Sequence, residues 1–120
     1  MIHHVSIEAS HLDRTGEFYD AVLAPLGWRR HADSGREVAW GIAKPVFFVF
    51  PSDNPRPGSG QICFAASGIP AVKAAWEAGI EAGGTDDGSP GARPQFGTGY
   101  YSAHLLDPDG HRVEIAVSPQ

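Results

Sequence analysis

Glu114 stands between Val113 and Ile115 in the alternating stretch Arg112 to Val117, so it shares a strand with an apolar face but points away from it. An unpaired carboxylate in such a place is expensive to bury, and the position therefore calls for a cation or hydrogen-bond donors. His4 occupies a similar place at the other end of the chain. From Ile2 to Ala9, Val5, Ile7 and Ala9 fall on one face, and His4, Ser6 and Glu8 fall on the other. Gln61 and Cys63 alternate in the same way with Ile62 and Phe64. An imidazole, a carboxylate and an amide oxygen converging in one cup form a donor set for a divalent first-row cation. Each residue also has a plainer reading. His4 can be a hydrogen-bonded core histidine, and Gln61 can bond its strand neighbours or a substrate. His104 shares a face with Ser102, so it is either an acid/base or ligand in the same cavity or a half-exposed strand histidine. Glu114 and His104 are the candidate catalytic pair. Trp40, Phe48, Tyr100 and Tyr101 are candidates for contacting a substrate, although aromatic residues in strands are more often plain core. Cys63 reads as a small buried apolar residue.

The elements that must position these groups follow from periodicity. Ser10 and Asp13 read as a capping box, and Leu12, Tyr19, Val22, Leu23 and Leu26 then recur at helical spacing up to Gly27, predicting one helix over 12–26. Extended segments are expected at Trp28 to His31, Glu37 to Ile42 and Val46 to Phe50. The stretch Pro51 to Gly60, with three prolines and two glycines, reads as a linker.

After the linker the pattern restarts. At an offset of 57 residues, with Gln61 beneath His4, Ile62 lies under Val5, Phe64 under Ile7 and Ser67 under Ser10. The helix continues this match without a gap, with Trp76 under Tyr19, Ile80 under Leu23 and Gly84 under Gly27. A period seen twice indicates a duplicated module with pseudo-twofold symmetry, not a solenoid. Each copy reads βαβββ: module 1 over about 1–51, a linker over about 51–60 and module 2 over about 60–118. The second copy is completed by a weak strand near Gly84 to Asp87, a Gly/Pro-rich loop from Gly88 to Gly99, and strands at Tyr100 to Leu106 and Arg112 to Val117. Asp107-Pro108-Asp109-Gly110 turns between the last two strands. The expected architecture is a single α+β domain. Its helices should cover Val5, Ile7, Ile62, Phe64, Val113 and Ile115, leaving the other sheet face as a cup.

Composition limits the partners. With 120 residues the chain suits one domain, and its net charge of −5 repels phosphate backbones and anionic membranes. The single cysteine provides no disulfide framework and fits a reducing compartment. No basic and long apolar leader is visible at the N-terminus, and the longest apolar run, Pro45 to Pro51, is too short to span a bilayer. A soluble cytoplasmic protein is the expectation, with no nucleic-acid or membrane partner. Neither a phosphate-binding glycine loop nor a serine nucleophile elbow occurs.

The opening Ile2-His3-His4-Val5, the helical Phe18-Tyr19 and the ending Gly99-Tyr100-Tyr101-Ser102-Ala103-His104 through Asp107-Pro108-Asp109-Gly110-His111-Arg112-Val113-Glu114 carry a resemblance that covers nearly the whole chain. The sequence resembles the glyoxalase/bleomycin-resistance/extradiol-dioxygenase (vicinal oxygen chelate) superfamily, particularly its short bacterial glyoxalase-like members. The resemblance implies a cupped mixed sheet and a metal site formed by His4, Gln61 and Glu114, binding Fe, Mn, Ni, Co or Zn. Gln61 stands where relatives commonly carry His, and Phe48 where some carry a fourth, acidic ligand. It also implies a homodimer and a small-molecule ligand. Three classes follow: a metal-dependent, lactoylglutathione lyase-like or dioxygenase-like enzyme acting on vicinal oxygens, a metal-free drug-sequestering binder, and an assembly scaffold that has only the expected dimerisation in its favour.

Overall fold

The computed structural model describes residues 1–118. In module 1, β1 (Val5–Ala9) leads into α1 (Leu12–Leu23), followed by β2 (Arg29–Asp33), β3 (Val38–Gly41) and β4 (Phe47–Pro51). In module 2, β5 (Gln61–Ala65) leads into α2 (Ile69–Glu81), then β6 (Thr85–Ala92), β7 (Tyr101–Leu106) and β8 (Arg112–Val117). Each module forms its own four-stranded mixed sheet, in the orders β1-β4-β3-β2 and β5-β8-β7-β6. In each, the first strand pairs in parallel with the last, and the remaining pairs are antiparallel. Both β1 and β5 are thus edge strands.

The apolar faces meet in one core. Val5, Ile7 and Val49 from the first sheet and Ile62, Phe64, Val113 and Ile115 from the second pack with Phe18, Tyr19, Val22, Val72 and Ala75 of the helices. Phe64 is the hinge of this core, with its ring edge-on to Phe47 at 5.3 Å and to Trp28 at 5.4 Å. The helices themselves approach closely at Gly79. A Cβ added there would lie 2.6 Å from Leu105 Cδ1 and 2.8 Å from Val22 Cγ2, so only glycine fits without displacement.

Three expectations are corrected in detail. The first helix ends at Leu23 and tightens into a 3-10 turn over Ala24–Leu26, where Pro25 removes an amide donor and Gly27 takes φ 86°. Ser10 does not form a capping box: α1 starts after His11 with no side-chain cap, and the Ser10 hydroxyl instead donates to Asp109 Oδ1 at 2.6 Å. The weak strand expected near 84–87 runs on to Ala92, through part of the supposed loop. As an edge strand with irregular register at Gly88 and Gly91, β6 accommodates Pro90 where a central strand would not.

Candidate functional site

The side of each sheet away from the helices carries the polar residues, and the register of the second sheet sets them in rows. Cys63 of β5 lies opposite Glu114 of β8, which lies opposite His104 of β7, with Gly88 of β6 at the end. Gln61 lies opposite Arg112 in the next row. Glu114 is the centre of this face and only 4% exposed. Its Oε1 accepts a hydrogen bond from Gln61 Nε2 at 2.9 Å, and its Oε2 accepts one from the Tyr100 hydroxyl at 2.8 Å. His104 Nε2 is 3.5 Å from Oε2. Neutral donors therefore meet the desolvation cost that this carboxylate would otherwise incur.

The neighbours feel the same carboxylate. Partial burial, and then the bond to Glu114, raise the Tyr100 phenol above its ordinary range, so it remains a proton donor at all physiological pH values. Desolvation and the Glu114 charge push the Cys63 thiol up to about 12. Contrary to the apolar reading of its sequence, Cys63 is exposed on this polar face. The offset that sets Cys63 under Ser6, another residue of the polar face, carried the signal for this placement.

The first sheet presents a different surface. Phe48 lies opposite Ser6 in β1, the place that Glu114 takes opposite Cys63. Its ring stacks on Phe50 at 6.3 Å and meets His4 edge-on at 5.4 Å. Imidazole and benzene rings thus form an aromatic strip where the second module holds its carboxylate. His4 touches His3 and Phe48, and no hydrogen bond among the described residues joins it to Gln61 or Glu114. It does line a cavity of about 290 Å³ between the β1 and β5 edges together with Cys63. Trp40 lies on the helix side, 1% exposed, with its indole N–H donating to Asp20 at 2.8 Å, and takes no part in the Glu114 cluster. Tyr101 packs at the fringe of the core, on the opposite face from Tyr100. Among the described residues no three His, Cys, Asp or Glu side chains are arranged to hold a metal ion. The nearest set within one chain is Glu114 and His104 with the Gln61 amide.

A long-range cluster beside the site escaped the sequence reading. The Asp107-to-His111 turn makes three contacts with module 1: Tyr19 donates to Asp107, Ser10 donates to Asp109, and His111 Nε2 lies 2.7 Å from the Glu8 carbonyl oxygen. These bonds fix the start of β8, and with it the position of Glu114.

The model of the Glyoxalase/Bleomycin resistance protein/Dioxygenase superfamily matches residues 1–115. The chain belongs to that superfamily. No curated protein matches it. Among solved structures, a glyoxalase/bleomycin resistance protein from Albidiferax ferrireducens is 27% identical, with 97% of each chain covered and a TM-score of 0.80. A glyoxalase-related enzyme from Fulvimarina pelagi is 22% identical over 97% of this chain and 87% of its own, with a TM-score of 0.77. The fosfomycin resistance protein FosX from Listeria monocytogenes, in complex with Mn(II) and 1S,2S-dihydroxypropylphosphonic acid, is 18% identical over 99% of this chain and 90% of its own, with a TM-score of 0.74. The superfamily chain thus has the α+β fold expected from its duplicated modules. No helix among the described residues is long and apolar enough to cross a membrane.

Proposed function

We propose that the protein is a metal-dependent enzyme of the glyoxalase/dioxygenase type, acting on a small molecule with vicinal oxygens in a reducing, cytoplasmic setting. The observation that carries this reading is Glu114, a nearly buried carboxylate on a helix-free sheet face, ringed by Gln61, Tyr100 and His104. These groups fit a divalent cation chemically: Glu114 supplies a charged oxygen, Gln61 an amide oxygen and His104 or His4 an imidazole. Fe, Mn, Ni, Co and Zn all suit such donors, and Mn(II) is the ion in the FosX structure. His4 belongs to the other module, so a homodimer in which one chain's His4 strip faces the partner's Glu114 face would complete the set.

When bound, the cation would supply Lewis acidity toward the vicinal oxygens of the substrate. The chain's own residues do the rest. Glu114 accepts a proton at Oε2 when a substrate displaces Tyr100, and His104 beside it can take that proton onward. Tyr100, held protonated, donates to a substrate oxygen. Phe48 and Phe50 form an apolar wall that keeps water from the reacting carbon.

The second reading is a metal-free binder of the bleomycin-resistance kind. It is favoured by the two hydrogen bonds that already occupy both Glu114 oxygens and by Phe48 in the place of an acidic residue. Calorimetric titration with Mn²⁺, Co²⁺, Ni²⁺ and Zn²⁺, above the histidine titration range, separates the two readings. Glu114→Gln should abolish binding and Gln61→His should strengthen it. Equal binding by wild type and Glu114→Gln removes the metal site and leaves the binder. Light scattering tests the dimer, and a single chain at micromolar concentration would refute it.

A further inference from the structure

A cleft of about 430 Å³ lies between the edges of β1 and β5, and its lining includes Arg56 of the linker and Arg112 at the start of β8. Arg112 is opposite Gln61 and two residues before Glu114 on the same strand, so Arg112 and Glu114 point to the same side of the sheet. At the rise of a strand, their backbones are about 7 Å apart. No ion pair among the described residues engages Arg56 or Arg112. The carboxylate in the lining is Glu8, which forms no ion pair with either arginine among the described residues. In a chain of net charge −5, a cleft lined by two unpaired arginines beside the reactive face is a local reversal of sign.

We propose that Arg112, assisted by Arg56, is an anion-binding subsite that makes the substrate a small acid. Its oxyanion docks on the Arg112 guanidinium, and its reacting carbon lies a few bonds away at Glu114. A guanidinium presents paired N–H donors that match a carboxylate or phosphoryl group in bidentate fashion, which a point-charge ammonium does not reproduce. Gln61, which lines the cleft and also bonds Glu114, links the two ends of such a ligand. The inference deepens the enzymatic reading given above, because it takes Glu114 as the reacting end. It does not depend on a cation.

The test is an NMR titration of the amide resonances with acetate and, separately, inorganic phosphate, at constant ionic strength and with a chelator present. Saturable shifts centred on Gln61, Cys63 and Arg112 are expected for at least one probe, and the tighter of the two assigns carboxylate or phosphoryl chemistry. Arg112→Ala should weaken binding at least tenfold, Arg112→Lys should bind more weakly than wild type, and Glu114→Gln should bind equally or better because it removes a nearby negative charge. Arg112 is exposed, and unchanged thermal melting of its variants would show that they fold. The proposal is overturned by an absence of saturable shifts, by equal affinity in Arg112→Ala, or by loss of binding in Glu114→Gln. A failed metal titration would leave these results standing, so the two readings fail separately.

Discussion

The Tyr19 hydroxyl donates to Asp107 Oδ2 at 2.7 Å, joining the first helix to the last hairpin across 88 residues of sequence. Tyr19 is fully buried and Asp107 is 3% exposed, and the other oxygen of Asp107 accepts the amides of Asp109 and His111. The carboxylate therefore organises its own turn and fastens that turn to the other module. Tyr19→Phe leaves a buried oxygen with one donor fewer and should destabilise the protein by about 1–3 kcal/mol. Urea denaturation with an unchanged m-value checks this, and a loss well below that range would mean the bond contributes little.

The two aspartates of this turn should shape acid stability in opposite directions. Burial raises Asp107 above its ordinary value, outweighing the bonds it accepts. Partial burial acts the same way on Asp109, but the Ser10 hydroxyl and amide win and hold it below the ordinary range. A lowered folded value gives stability that is present above the unfolded value of about 3.9 and is lost as pH falls through the folded one. A raised folded value gives the reverse: stability is present below about 3.9 and is lost as pH rises through the folded value. Asp109→Asn should flatten the loss of stability in acid, whereas Asp107→Asn should steepen it. Thermal melting from pH 3 to 7 measures both, and parallel changes in the two variants would contradict the assignment.

Cys63 should react slowly despite its exposure. With its thiol at about 12, almost no thiolate exists at pH 8, and alkylation by iodoacetamide should lag well behind that of a free cysteine. Glu114→Gln removes the negative charge that opposes ionisation and should speed the reaction. Equal rates in the two proteins would separate Cys63 from Glu114.

Gly79→Ala should cost about 1–3 kcal/mol by forcing α2 away from Val22 and Leu105. For the same reason, a fragment of residues 1–60 should be insoluble or unfolded, since it loses α2 and the Phe64 ring that packs on Phe47 and Trp28. A cooperatively melting monomeric fragment would show that module 1 folds alone.

Much of this arrangement was legible in the sequence because period-two alternation and the 57-residue offset are local signals. They place Val5 and Ile62 inward and Gln61 and Glu114 outward before any contact is known. What alternation cannot specify is the partner of a polar group. Asp13 sits at capping distance from Ser10 in the sequence, but Asp109, distant in sequence, takes the Ser10 hydroxyl. Trp40 has the composition of a ligand wall, yet its face is fixed by pairing with Phe47 on the helix side. The Gly/Pro content of β6 hid a strand that survives only because it sits at an edge.

The unequal fate of the two copies has a practical consequence for diversification. One copy carries Glu114 and the donors that hold it, while the matching row of the other, Ser6 with Phe48 and Ala39, contains no ionisable group. Exchanges at Phe48 or Phe50 change a surface that makes no hydrogen bond to Glu114 among the described residues, and should leave the Gln61 and Tyr100 bonds to that carboxylate in place. A library confined to Phe48 and Phe50, sparing the core residues Trp40, Phe47 and Val49 between and before them, should alter this strip while retaining the Gln61–Glu114–Tyr100 arrangement.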